Sequence, residues 1–112
     1  MPHPDLHGLD LRDRDLRGLG LRGANLRGAD LRYASLRAAD LREANLSDAD
    51  LSGADLRGAD LWEADLREAR LFVAEFDDVG LGCTKLRAAE LGNTIIDADL
   101  SKCMGLDEVV HL

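Results

Sequence analysis

Regularly spaced carboxylates are the residues of this chain that most suggest chemistry. Nine aspartates stand directly before a leucine, at positions that differ by multiples of five: Asp5, Asp10, Asp15, Asp30, Asp40, Asp50, Asp55, Asp60 and Asp65. Clustered carboxylates could bind Ca²⁺ or Mg²⁺, which prefer oxygen ligands. However, arginine directly follows ten of the repeated leucines, so most of these acids have a cation two residues away. We therefore predict ion pairs on a solvated surface and no metal site.

No set of residues with catalytic spacing accompanies the aspartates. His3, His7 and His111 lie near the two ends of the chain, far from any serine or cysteine at a matching position. The sequence contains neither a glycine-rich phosphate loop nor a metal-ligand motif. We therefore predict a protein that is not an enzyme and binds no cofactor.

The charge of the chain is acidic and uneven. The net charge is −8, which argues against direct binding to nucleic acid or to anionic membranes. Residues 1–70 carry 14 acids and 11 bases, whereas residues 71–112 carry 8 acids and 3 bases. The second part therefore contains the better candidates for contact with a basic protein partner, although the same acids could simply solvate the surface. These candidates are Glu75, Asp77, Asp78, Asp97 and Asp99.

Several large apolar side chains occupy positions where the pattern is otherwise polar. Trp62 and Phe72 follow a leucine, where arginine is usual, and Val73 comes next. Exposed aromatic residues favour a protein interface, so these three residues are candidate contacts. An alternative is that Trp62 packs under Arg42 in a cation–π contact. Both interpretations remain open from the sequence.

The expected cellular location depends on segments that are not seen in the sequence. It shows no apolar run suited to a signal peptide or a membrane span. Its two cysteines, Cys83 and Cys103, do not make a disulfide framework. We therefore expect a cytoplasmic protein with free thiols.

A period of five residues organises the whole chain. Of the nineteen positions from Leu6 to Ile96 in steps of five, seventeen are leucine, and alanine stands two residues earlier from Ala24 to Ala74. An α-helix would rotate successive leucines by roughly 140°, and a flat strand would alternate their faces. A chain that turns a corner once per repeat keeps every leucine and alanine inside. The predicted interior therefore comprises Leu26, Leu31, Leu36, Leu41, Leu46, Leu51, Leu56, Leu61, Leu66, Leu71, Phe76 and Leu81.

The segments "ANLRG", "ADLRY", "ADLRE", "ANLSD", "ADLSG" and "ADLRG" resemble the pentapeptide-repeat family, whose motif is A-(D/N)-L-x-x. The resemblance implies an all-β fold, a right-handed quadrilateral β-helix (β-solenoid) with four pentapeptides per coil. Nineteen repeats would form about five coils, so that residue n stacks on residue n+20. We expect a lead-in at residues 1–4, the β-helix at 5–100, and a C-terminal cap or connector to a following domain at 101–112.

The pattern weakens at both ends. At the start Leu9, Arg14 and Leu19 replace alanine, which predicts a frayed or widened first coil. After Ile96 the frame slips by one residue, because the next match is Ala98–Leu100. The slip offsets Cys83 from Cys103, which would otherwise lie one coil apart.

These observations favour a non-enzymatic protein-interaction or scaffold module, and one option is that the module is a domain of a larger bacterial signalling or defence protein. The family resemblance also implies an alternative, a DNA-mimicking inhibitor of DNA gyrase of the quinolone-resistance type. A homo-oligomer could form through the C-terminal segment or through the Trp62/Phe72 surface.

Overall fold

The computed structural model of the chain describes residues 3–92. Within this range every pentapeptide contributes one bridge residue directly before its leucine and a two-residue turn directly after it. Fourteen parallel bridges run from Asp5–Asn25 to Arg70–Glu90, and each joins a residue to the one twenty positions later. All are isolated bridges, so residues 3–92 contain neither a longer strand nor a helix.

Four backbone hydrogen bonds recur in every pentapeptide from residue 21 to residue 70, as the repeat that starts at Leu26 illustrates. The N–H groups of Leu26 and Gly28 donate to the carbonyls of Asn45 and Ser47, 19 residues later, at 2.7 and 2.9 Å. The Ala29 N–H closes the turn onto the Leu26 carbonyl at 3.0 Å, and the Asp30 N–H donates to the carbonyl of Leu9 in the coil before, at 2.9 Å. Three of the four bonds therefore join neighbouring coils, which no single coil could satisfy alone.

The turn requires a left-handed residue two positions after each leucine. All seventeen such residues from Gly8 to Ala88 have a positive φ, as the third residue of a type II turn does. Eleven of them are not glycine, and Val73, at φ 52°, is β-branched. A side chain costs about 1–2 kcal/mol in this conformation, so bonds between the coils hold the backbone against its local preference.

The interior is a stack of leucine and alanine. All twelve predicted interior side chains are 3% exposed or less, and the alanines from Ala24 to Ala74 are buried with them. Thr84 takes the place of an alanine, and its buried hydroxyl donates to the Leu61 carbonyl at 2.7 Å. A polar residue is tolerated there because its hydrogen bond is satisfied.

The first coil keeps the register but covers its leucines poorly. Leu6, Leu11 and Leu16 are only partly buried, and Leu9 and Leu19 are 45% and 44% exposed. The expected fraying is not seen in the backbone, because all four sides of this coil bridge to the next. Exposure rises because these side chains lie at one end of the stack.

Two other observations complete the description. Across residues 3–92 no helix is long and apolar enough to span a membrane. The frame slip after Ile96 and the predicted cap or connector at 101–112 lie outside the described residues.

Candidate interaction surfaces

Each Asp-Leu-Arg triplet forms the same local ion pair. The aspartate accepts the arginine's Nε–H and Nη2–H at 2.6–2.9 Å, and it also accepts the arginine's backbone N–H at 3.1–3.2 Å. The backbone bond starts the turn as an Asx-type interaction, and the paired N–H groups bind the carboxylate bidentately. The six pairs are Asp10–Arg12, Asp15–Arg17, Asp30–Arg32, Asp40–Arg42, Asp55–Arg57 and Asp65–Arg67.

These pairs continue from coil to coil as ladders of alternating charge. On one side, Arg12 Nε lies 3.6 Å from the carboxylate of Asp30, and Arg32 Nε lies 3.9 Å from that of Asp50. Arginine side chains therefore lie beside the stacked aspartates and offset their charge. Within the part of the chain that the structure describes, no three histidine, cysteine or acidic side chains are grouped to hold a metal ion.

The arginines also alter the acidity of the aspartates. Side-chain hydrogen bonds from Arg17 lower the pKa of Asp15 to about 2. The same contact from Arg42 lowers the pKa of Asp40 to about 2, although partial burial opposes it. At Asp65 burial raises the pKa, but the side-chain and backbone bonds from Arg67 together outweigh it. Such depressed values keep these carboxylates charged at neutral pH, where they pair with the arginines and do not exchange protons.

The three apolar candidates divide between two sides of the solenoid. Trp62 is 40% exposed, Phe72 is half-buried and Val73 is 61% exposed. Phe72 lies ten residues after Trp62, half of the twenty-residue register, so the two rings point from opposite sides. The structure therefore does not bring Trp62 and Phe72 into one surface, whereas Phe72 and Val73 are neighbours.

Each outward aromatic ring lies against a glycine of the following coil. A Cβ atom added to Gly82 would be 3.0 Å from Cδ1 of Trp62. Added Cβ atoms at Gly53 and Gly92 would collide with the rings of Tyr33 and Phe72. This relation was not predicted from the sequence, although a glycine twenty residues after an aromatic residue signals it.

The structure gives Trp62 and Arg42 contacts that the sequence did not predict. The ring of Trp62 packs on Gly82 in the coil after it. Arg42, in the coil before it, donates to Asp40 through Nε at 2.8 Å and Nη2 at 2.7 Å.

The acidic candidates lie next to the Phe72/Val73 pair along the chain. Glu75, Asp77 and Asp78 are all exposed. Glu75 is 3.1 Å from Arg57, but no ion pair is found for Asp77 or Asp78 within residues 3–92. We call Phe72, Val73, Glu75, Asp77 and Asp78 the acidic–apolar surface; Asp77 and Asp78 follow Phe72 and Val73 by five residues and therefore lie on the adjacent side of the solenoid. Asp97, Asp99 and Cys103 lie outside the described residues, and Cys83 is a half-buried free thiol.

The groove beside Arg67 is open and polar. It has a volume of about 360 Å³ and is lined by Arg27, Ser47, Asp65, Arg67 and neighbouring charged residues. A site for a small molecule is usually enclosed and mostly apolar, which this groove is not.

Comparison with known proteins identifies a sequence family. The profile described as "Pentapeptide repeats" matches in eight copies, over residues 5–42, 20–58 and 34–71. These ranges together cover residues 5–71, more than half of the chain. None of the curated protein sequences matches significantly.

Solved structures of similar fold belong to the same class. A pentapeptide repeat protein (Rfr23) from the cyanobacterium Cyanothece 51142 superposes with a TM-score of 0.79 at 24% identity, over 97% of this chain and 84% of that one. A pentapeptide repeat protein from the Arabidopsis thaliana thylakoid lumen gives 0.50 at 33% identity, over 80% and 66%. QnrB1, a plasmid-mediated fluoroquinolone resistance protein, gives 0.51 at 24% identity, over 98% and 59%.

Proposed function

Because the chain belongs to the pentapeptide repeat family, we propose that it is a non-enzymatic module that binds a basic protein partner. Its rigid framework is a right-handed quadrilateral β-helix of about five coils. It acts in the cytoplasm, as a scaffold within a bacterial signalling or defence system. The acidic–apolar surface is its contact region.

The observation that carries this proposal is the contrast between two parts of the surface. Over the first coils Asp10, Asp15, Asp30 and Asp40 are each bound by an arginine two residues later. At the acidic–apolar surface, Asp77 follows Phe76, at a position where ten other repeats carry arginine, and Asp78 comes next. Negative charge that Arg57 of the preceding coil offsets in part, next to the side that carries the 61% exposed Val73, suits a partner that offers arginine or lysine beside an apolar contact.

A charge reversal with a matched control tests the proposal. Asp78 and Glu63 are both exposed acids at the left-handed turn position, with φ of 58° and 57°. The full chain, Asp78→Lys and Glu63→Lys would each be immobilised and exposed to extract, and the retained proteins would be compared by mass spectrometry. We expect a basic protein that the parent and Glu63→Lys retain and that Asp78→Lys loses. Identical sets of retained proteins for all three chains would refute this surface as the contact region.

The alternative role is inhibition of DNA gyrase by mimicry of DNA. The acidic net charge and the similarity to QnrB1 favour it, but at 24% identity that similarity concerns the fold alone. The six Asp–Arg pairs weigh against it, because a DNA mimic needs rows of negative charge without cations. A supercoiling assay with excess protein decides: unchanged gyrase activity excludes the alternative.

A further inference from the structure

Within residues 3–92, one edge of the first coil has no backbone partners. In the second coil, the Asn25 N–H donates to the Pro4 carbonyl at 2.8 Å, and the Asn25 carbonyl accepts from the Leu6 N–H at 2.7 Å. The equivalent N–H and C=O groups of the first coil belong to Asp5, Asp10, Asp15 and Gly20. Among the described residues, none of these eight groups has a backbone partner. An open edge of this kind is a template for pairing with another chain.

Each edge residue presents its donor and its acceptor in the same direction. Two antiparallel strands pair such residues directly, because each residue of the pair gives one N–H and receives one. A second copy turned by a two-fold axis would present an identical edge that runs in the opposite direction. The edge is therefore complementary to itself, as an interface between identical surfaces must be.

The exposed leucines at the end of the stack also suit a dimer with a two-fold axis. Leu9 and Leu19 are 45% and 44% exposed, and one coil later the equivalent positions are the buried Ala29 and Ala39. Among the described residues, leucine takes this inward position only in the first coil, where Arg14 shares it. Two such ends placed together would cover the exposed leucines and the partly buried Leu6, Leu11 and Leu16.

The net charge of the first coil favours a second copy of the chain as the partner at this end. Residues 3–22 carry four aspartates and four arginines, a net charge of zero, whereas the whole chain is −8. A strongly basic or acidic partner would find no complementary field here. A second copy would meet a balanced rim, on which each arginine can face an aspartate, while the acidic remainder of the two chains points away.

We propose that two copies of this chain associate head to head through the first coil, residues 3–22, and form a closed dimer. Facing edge residues exchange backbone hydrogen bonds in antiparallel pairs, around a centre formed by Leu9 and Leu19. This interface is separate from the acidic–apolar surface, so the dimer and the proposed partner binding stand or fall independently.

Gly20 offers a matched pair of substitutions. A Cβ added to Gly20 meets nothing within 4 Å, so Gly20→Ala keeps both the fold and the edge N–H. Gly20→Pro removes this N–H and places a ring on the edge, which proline tolerates only where no pairing occurs. In light scattering at several concentrations, the parent and Gly20→Ala should have twice the 12.2 kDa mass of the chain. Gly20→Pro should raise the dimer dissociation constant about tenfold or more, because a two-fold interface loses the bond twice.

Two further measurements cover the case in which proline disturbs folding. Leu9→Glu combined with Leu19→Glu should also give a monomer, with Val73→Glu on the side of the solenoid as the control that stays dimeric. In the parent, the amide protons of Asp10 and Asp15 should exchange more slowly as concentration rises, which needs no variant.

Three results would overturn the proposal. One is a parent that remains monomeric at all concentrations and whose Asp10 and Asp15 amides exchange freely. Another is a mass that grows beyond two copies, which indicates open head-to-tail stacking. The third is a dimer that folded end variants leave intact, because its interface must then lie elsewhere.

Discussion

Removing the Trp62 ring should change the sign of a substitution at Gly82. Gly82 is outside the left-handed region, so alanine fits its backbone and reduces the entropy of the unfolded chain, which favours folding by about 0.4–1 kcal/mol. In the parent, however, the new Cβ would be 3.0 Å from Cδ1 of Trp62, closer than the 3.4 Å at which ordinary contact begins. The ring is only 40% exposed, so it must give up contacts to move.

A double-mutant cycle measures this coupling. Gly82→Ala should be neutral or destabilising in the parent and stabilising in Trp62→Ala. The interaction free energy should therefore be about 0.5–1 kcal/mol or more, as for residues in contact. Urea unfolding of the four proteins, followed by circular dichroism, gives the free energies of unfolding.

The control is Gly20→Ala, whose added Cβ meets nothing within 4 Å. It should have the same effect with and without Trp62, when measured at concentrations too low for association. If Gly82→Ala also has one effect in both backgrounds, the ring does not pack on Gly82 in solution and the reasoning fails.

Three other substitutions and conditions test the fold. Leu56→Ala should lower the free energy of unfolding by about 2–5 kcal/mol, because the 1% exposed side chain leaves a cavity; Leu6→Ala, in the partly buried first coil, should cost less in the same urea titration. Ala38→Gly should raise the melting temperature, because relief of about 1–2 kcal/mol at φ 57° exceeds the entropic cost of glycine, about 0.5–1 kcal/mol. Stability should begin to fall as the pH drops below about 5 and continue to fall towards 2, because Arg42 lowers the pKa of Asp40 from 3.8 to about 2 and the unfolded chain therefore binds protons first. Asp40→Asn should make acid unfolding, followed by circular dichroism, less steep over this range.

The five-residue period is sufficient to predict the interior. Leu26, Leu56 and Phe76 share a position that neither a helix nor a flat strand can keep buried, so only a chain that turns corners remains. The period of five does not by itself predict that residues twenty apart stack on each other. That expectation came from the family resemblance. The bridges from Asp5–Asn25 onward show the same twenty-residue register.

Features that depend on this register were harder to predict. Trp62 and Phe72 are close in sequence, which suggested one surface. Ten residues are half of a twenty-residue coil, however, so the two rings lie on opposite sides. The fit of Trp62 to Gly82 is visible in the sequence once residues twenty apart are compared. Without the coil, a glycine at that position looks like an ordinary turn residue.

The left-handed turn at Val73 could not have been predicted from the residue itself. Valine rarely adopts a positive φ, and its local preference is for extended backbone. The conformation follows from the hydrogen bonds of the neighbouring repeats, which place every equivalent residue in the same turn. Local propensity therefore predicts the wrong backbone where the repeat determines it.

The twenty-residue register also determines how such a chain can change in length during evolution. Loss or gain of five residues keeps every leucine inside, yet it moves all later side chains to the adjacent side of the solenoid. Loss or gain of twenty residues lengthens or shortens the stack and leaves each column in line. Duplication in units of five would thus create new surfaces without a new core, and duplication in units of twenty would only extend an existing surface.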